Sequence, residues 1–193
     1  KIERIPYKIT YVGAISTVKG VDVLIKAFKK IKKRYPKAEL NLIGDVQMYG
    51  RVNEFDLKEI EKTKGIVYHG VLTSDQIAPH LQQAHVSVLL TKIYETFGKS
   101  AMQARCCGAK MIVSNQGALP LHVVSSSEGI VLDNVTEDTV CDAFEEIFST
   151  PPSTQAPPEG RYHNWKITAL DFVTHHALLN RRIFQRNIVK FEV

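Results

Sequence analysis

Tyr94–Ala109, YETFGKSAMQARCCGA, is the stretch whose reading decides the fold. It follows a strand-like run, His85–Leu90 (HVSVLL), and precedes another, Lys110–Ser114 (KMIVS). A short turn and a helix of roughly three turns fit between them. Thr96 is a candidate cap for that helix, and Gly98 allows a close approach to the backbone. A helix that starts at the carboxyl end of a strand offers unpaired N–H groups and a partial positive charge. That end suits a phosphate. Glu95 projects from the turn, and Gln103 lies two helical turns further on.

Outward from this stretch, strand and helix signals alternate. Ile9–Ala14 (ITYVGA) is a short β-branched run that ends in a glycine turn. Val21, Leu24, Phe28, Ile31 and Tyr35 recur at helical spacing until Pro36. Glu39–Asp45 reads as a second strand and turn, Val52–Lys64 as an exposed helix, and Ile66–Tyr68 as a third strand. Ser74–Gln83 reads as a helix with Pro79 as its weak point. After Lys110–Ser114 come a short helix over Leu119–Ser126, a strand Gly129–Leu132 and a helix Thr136–Phe148. Thr150–Gly160 (TPPSTQAPPEG) holds too many prolines for an element. His163–Leu179 is helical again, and the rest is ambiguous. Strands alternating with helices predict an α/β fold with a doubly wound parallel sheet. Its ligand site lies beyond the carboxyl ends of the strands, at a switch point. The loops after the first, third and fourth strands are expected to converge there. The organisation expected is a domain over 1–150, a proline-rich linker over 151–162, and a helix and tail over 163–193. That last segment packs back on the domain or on a further one.

Composition narrows the classes. Hydrophobic residues at 44% and charged residues at 23% are globular values for a 193-residue chain. No apolar run approaches the ~20 residues that span a bilayer. KIERIPYKIT lacks the apolar core of a signal peptide, and Lys1 in the first position suggests a piece of a longer chain. Three cysteines, two of them adjacent, do not form a disulfide framework. They read as thiols of a reducing compartment, hence a cytoplasmic protein. The net charge of +5 is concentrated at Lys19, Lys26, Lys29, Lys30, Lys32, Lys33, Arg34 and Lys37. This is either the solvated face of a helix or, over Lys26–Lys37, a contact for an anionic membrane surface at the protein's periphery. Nucleic acid is disfavoured, because the aromatic interleaving of a single-strand binder is missing.

Glu95, seven intervening residues, then Gln103 resembles the E-x7-E signature of the retaining glycosyltransferases of family 4. Glu95–Pro120, ETFGKSAMQARCCGAKMIVSNQGALP, is similar to that family's signature helix, following strand and small-residue loop. The similarity covers about Ile9 to Leu178. It implies a Rossmann-like domain, one half of a GT-B fold, corresponding to the C-terminal half that binds a nucleoside diphosphate sugar. A missing N-terminal domain would hold the acceptor, so the isolated domain is expected to be inactive in transfer. Neither a metal nor a cofactor is implied: no Asp-x-Asp occurs, and the histidines show no ligand spacing.

The resemblance also assigns residues. Gly13–Gly20 (GAISTVKG) is similar to the family's glycine, arginine, spacer, lysine-glycine loop, whose two cations bind the donor pyrophosphate. Here Lys19 is present and Ala14 stands in the arginine position. The matching Glu95 hydrogen-bonds the donor sugar near its anomeric carbon, where a carboxylate also stabilises oxocarbenium-like charge. Lys19 and Glu95 are therefore the catalytic candidates. Amides around Phe97, Gly98 and Lys99 hold the distal phosphate, and Lys99 is the candidate to replace the absent arginine. Gly13 lies against the donor, Gln103 takes the ribose position, and His69 and Val71 lie in the loop facing the nucleobase. Without the resemblance, Lys19 is a surface lysine and Glu95 an acid near a helix start. Ala14 and Gln103 both depart from the pattern and weaken donor binding, which leaves open a degenerate nucleotide-binding or interaction module.

Overall fold

The computed structural model of the chain describes residues 3–46 and 55–152. Six parallel strands form one sheet in the order β3-β2-β1-β4-β5-β6. They are β1 (Lys8–Val12), β2 (Glu39–Ile43), β3 (Ile66–Tyr68), β4 (Val86–Leu89), β5 (Lys110–Ser114) and β6 (Gly129–Leu132). Each coincides with a strand expected from the sequence, so the fold is the α/β doubly wound, Rossmann-like sheet. β1 pairs with β2 on one side and with β4 on the other. The chain winds outward in one direction through β2 and β3, then returns to β1 and winds the other way. That reversal places the switch point between the carboxyl ends of β1 and β4.

The helices are α1 (Val21–Arg34), α2 (Leu57–Lys62), α3 (Ser74–Gln83), α4 (Lys99–Cys106) and α5 (Glu137–Phe148). They cover both faces, which is why the strands are buried on both sides. On one face, Leu24, Phe28 and Ile31 of α1 pack with Phe144 and Ile147 of α5 against Ile9, Leu40 and Ile112. On the other, Ile77 and Leu81 of α3 and Ala101 and Ala104 of α4 pack against Val12, Met111 and Val113. Small residues on α4 let that helix lie close to the sheet. Burial of a side chain such as Phe28 is worth ~1.5–3 kcal/mol.

Several boundaries differ from the sequence reading, each for a local reason. α4 has eight residues, about two turns rather than three, and its N-cap is Gly98, not Thr96. Thr96 and Phe97 stay in the turn. α2 starts at Leu57, with the Asp56 carboxylate accepting from the Lys58 N–H at 2.9 Å. The earlier part of the expected helix over Val52–Lys64 lies outside the described residues. Thr73 caps α3 one residue before Ser74, and its N–H and hydroxyl both donate to Gln76 Oε1. Pro79 sits within that helix without ending it. The expected helix over Leu119–Ser126 is only a 3-10 turn, Leu119–His122. The segments 153–162 and 163–193 lie outside the described residues.

Arg4 was not singled out in the sequence, yet it ties two helix ends together. Its guanidinium donates to the carbonyls of Leu81, Gln82 and Ala84 at the end of α3, and to Cys107 beyond α4 at 2.6 Å. Carbonyls at helix ends run out of intrahelical donors, and of these four the Leu81 carbonyl also accepts from the Ala84 N–H at 3.3 Å. The basic residues of α1 also find local partners: Lys30 pairs with Asp138 and Arg34 with Glu145, both on α5. Lys32 donates to the Ala38 carbonyl. Part of the positive excess is therefore answered by the acidic side of the neighbouring helix. No helix among the described residues is long and apolar enough to cross a membrane. All three cysteines are free thiols. Burial pushes Cys107 and Cys141 up to about 11, which keeps them protonated at neutral pH.

Candidate functional site

A cavity of about 190 Å³ opens at the switch point. Its walls come from the end of β1 and the loop after it (Gly13, Ala14, Lys19), the end of β4 (Leu90, Thr91), Glu95, and the start of α4 (Gly98, Lys99, Ser100). Leu119 closes it from the loop after β5. At this size it encloses a fragment rather than a whole drug-sized ligand, which needs ~300–1,000 Å³.

Lys19 Nζ donates to Glu95 Oε2 at 2.8 Å, across 76 residues of sequence. The two side chains are 19% and 25% exposed, so the pair is largely shielded from water. The loops that carry them are tied as well, since the Lys92 N–H donates to the Val18 carbonyl at 2.8 Å. The Tyr11 hydroxyl, buried beneath the first loop, donates to the Ala14 carbonyl at 2.6 Å.

The peptide of Glu95 is held from behind. The Ala118 N–H donates to the Glu95 carbonyl at 2.7 Å. A Cβ on Gly117 would lie 2.1 Å from that same oxygen, and Gly117 has a φ of +58°. The small residues after β5 therefore exist to let that loop lie on the Glu95 backbone. Gly98 is similarly constrained. Its φ is +72°, and a Cβ there would lie 2.8 Å from Leu119 Cδ2 and 3.2 Å from His122 Nε2. The left-handed turn at Gly98 starts α4 without a side-chain cap from the N-cap residue, which has no side chain to give one.

Gly13, Lys19, Glu95, Gly98 and Lys99 thus meet around one cavity, as expected from the sequence. Phe97 is next to it in the turn but is not one of its walls. Gln103 sits on α4 outside the lining, with its amide 3.4 Å from the Ser74 hydroxyl. Residues of the loop after β3 are not among the walls of this cavity. β3 is separated from β1 by β2, which puts it about 10 Å from β1 and about 12 Å from the switch point at normal strand spacing. His69 turns to Asn41 Oδ1 at 2.6 Å and packs against His80, with ring centroids 4.4 Å apart. Val71 is exposed. The third loop touches the second instead: the Gly44 N–H donates to the Gly70 carbonyl. Nothing in the residue type or spacing of Tyr11 and Leu119 marks them, whereas for His122 a histidine within the otherwise apolar ALPLHVV is the available signal.

The sequence profile described as "Glycosyl transferases group 1" matches residues 2–163. The chain belongs to this glycosyltransferase family. Among its relatives is the D-inositol 3-phosphate glycosyltransferase of Pseudarthrobacter chlorophenolicus, 24% identical over 187 residues, covering 92% of this chain and 44% of the relative. The protein of the same name from Corynebacterium diphtheriae is 27% identical over 153 residues, covering 75% and 35%. The chain spans less than half the length of these curated relatives. Among solved structures, the sucrose-phosphate synthase of Thermosynechococcus elongatus superposes with a TM-score of 0.65 at 24% identity, covering 94% of this chain and 46% of that one. Anabaena HepE in complex with UDP superposes with a TM-score of 0.63 at 16% identity, covering 75% and 39%. At these identities the structural likeness concerns the fold of the group 1 domain. Among the described residues, no cluster of three or more His, Cys, Asp or Glu side chains has the arrangement of a metal site.

Proposed function

We propose that this chain is the donor-binding, C-terminal half of a retaining family 4 glycosyltransferase. It holds a nucleoside diphosphate sugar with its diphosphate in the switch-point cavity. The observation that carries this reading is the Lys19–Glu95 pair at 2.8 Å beside the uncapped start of α4. One small cavity thereby combines a cation, a helix N-terminus and a carboxylate. The cation and the amides suit a leaving diphosphate, since they meet charge that grows as the glycosidic bond breaks. The carboxylate suits the sugar, where positive charge develops at the anomeric carbon. The nucleoside extends from the cavity past Gln103 toward the loop after β3, where His69 and Val71 lie. HepE, which shares the fold, is named in complex with UDP and supports this class of donor.

Transfer requires an acceptor hydroxyl held near the anomeric carbon. The curated relatives are more than twice the length of this chain, which supports placing the acceptor in an N-terminal half. The chain alone binds donor and transfers no sugar, because lost orientation forfeits up to ~7–11 kcal/mol. Lys19, Lys99 and the amides of α4 neutralise the diphosphate, so the reaction proceeds without a metal, in the cytoplasm. The test is transfer by the full-length enzyme from a panel of nucleoside diphosphate sugars, with and without Glu95→Gln and with and without a chelator. Product of retained anomeric configuration that forms in chelator and is lost in the variant supports the reading. Full activity in the variant refutes it.

A second reading rests on Ala14, which lines the cavity where the family carries an arginine. In that reading the domain binds a nucleotide and catalyses nothing. Donor binding with no turnover by the full-length protein distinguishes it.

A further inference from the structure

His122 has no part in the donor site described above, yet it is built into the back of it. It closes the 3-10 turn after β5 and is 8% exposed. Its Nε2 lies 2.8 Å from the Phe97 carbonyl oxygen. A carbonyl oxygen only accepts, so Nε2 carries the hydrogen and donates. Burial pushes the ring's pKa below its usual value, which leaves the neutral Nε2–H tautomer in place around pH 7.

The Phe97–Gly98 peptide is planar and trans, so its N–H points opposite to its carbonyl. The carbonyl is drawn back toward buried His122. The Gly98 N–H is thereby turned to the other side, where Gly98 forms part of the cavity wall. His122 also lies against Gly98, where a Cβ would come within 3.2 Å of Nε2. The two residues leave that peptide little room to rotate.

We propose that His122 is a positioning residue for the diphosphate: by holding the Phe97 carbonyl it aims the Gly98 N–H, with the first amides of α4, into the anion site. This rests on the proposed function, because it takes an anion to occupy the cavity. His122 touches no substrate and acts only through the peptide it holds.

The experiment titrates UDP and inorganic pyrophosphate into the 193-residue chain by calorimetry, for wild type, His122→Leu and His122→Gln. Thermal melting and the 15N–1H resonance of Gly98 are followed alongside. Leu fills the space without a donor, whereas the Gln side-chain N–H₂ reaches close to the position of Nε2. The expected result is a loss of about tenfold for both ligands in His122→Leu, and recovery to within about threefold in His122→Gln. The Gly98 resonance should shift with pyrophosphate in wild type and His122→Gln but little in His122→Leu. If His122→Leu does not fold, His122→Asn replaces it, since its shorter amide does not reach the carbonyl. Wild-type affinity in the donor-less variant overturns the inference alone. Equal losses in the Leu and Gln variants, in step with their melting temperatures, also overturn it and leave His122 a packing residue. A wild-type chain that binds neither ligand overturns both this inference and the proposed function.

Discussion

Glu95→Gln should tighten the binding of a nucleoside diphosphate that carries no sugar. Lys19 is engaged by Glu95 at 2.8 Å, with both side chains at most a quarter exposed. A diphosphate has to draw Lys19 away from that carboxylate and also approach the carboxylate's charge. A charge-assisted hydrogen bond is worth ~1.5–3 kcal/mol net. Part of that survives in the complex as Lys19 turns to phosphate, so a gain of ~1–2 kcal/mol is expected, about 5- to 30-fold in Kd. Lys19→Ala acts in the opposite sense, weakening UDP by ~1–3 kcal/mol, since the cation itself is lost. The two changes are not additive. If Glu95 acts by holding Lys19, most of the gain from Glu95→Gln disappears in a Lys19→Ala background, and the coupling between the two sites is ~1 kcal/mol or more. Calorimetry with UDP on the four proteins of the cycle measures it. Unchanged or weaker binding in Glu95→Gln, or a gain that persists undiminished without Lys19, refutes the reasoning.

Lys99→Ala should weaken UDP several-fold, because a lysine at the first residue of α4 adds its charge to the helix N-terminus beside the cavity where Ala14 provides none; calorimetry at low and moderate salt checks it. Gln103→Glu should strengthen binding of ribose-containing nucleotides several-fold and leave pyrophosphate unchanged, and a weaker nucleotide complex contradicts the ribose assignment. Gly117→Ala should lower stability by roughly 2 kcal/mol or more and displace Glu95, since its Cβ would sit 2.1 Å from the Glu95 carbonyl oxygen at a φ of +58°; chemical denaturation reads the first effect. Acid should destabilise the fold already between pH 7 and pH 5, through its buried histidines. Burial lowers His85 to about 4, and burial likewise lowers His69, His80 and His122. The unfolded chain takes up protons near pH 6.5 while the folded chain resists, so stability present at pH 7 falls as pH drops toward 4. His85 alone contributes ~1–2 kcal/mol of loss between pH 7 and pH 5, and urea unfolding that is flat over that range contradicts this.

The fold was legible because β-branched runs and helical apolar spacing are local signals, and parallel strands buried on both faces write them strongly. All six strands follow from them. The site was legible where its residue types are chemically restricted: Gly98 must turn left-handed, and Lys19 and Glu95 carry charges that few core positions tolerate. Their direct pairing was not legible, since it depends on the approach of two loops 76 residues apart. The same holds for Arg4 gathering the ends of α3 and α4, and for His122 behind Phe97. Each is a side chain satisfying a distant backbone carbonyl, and sequence carries no register for such contacts. His69 and Val71 do not line the cavity, because loop order along the chain does not give distance across a sheet. Thr96 failed as a cap for a related reason: it has the right chemistry, but the turn is fixed by Gly98 and its neighbours.

The most direct test of the central claim is a crystal structure of this chain grown with UDP. The account predicts the β-phosphate in the cavity between the Gly13–Gly20 loop and the start of α4. It should lie within hydrogen-bonding distance of Lys19 Nζ and of the amides near Gly98 and Lys99, with Lys19 drawn away from Glu95. UDP bound elsewhere on the sheet, or phosphate density in the cavity with Lys19 still held at 2.8 Å by Glu95 and no contact to α4, would contradict it.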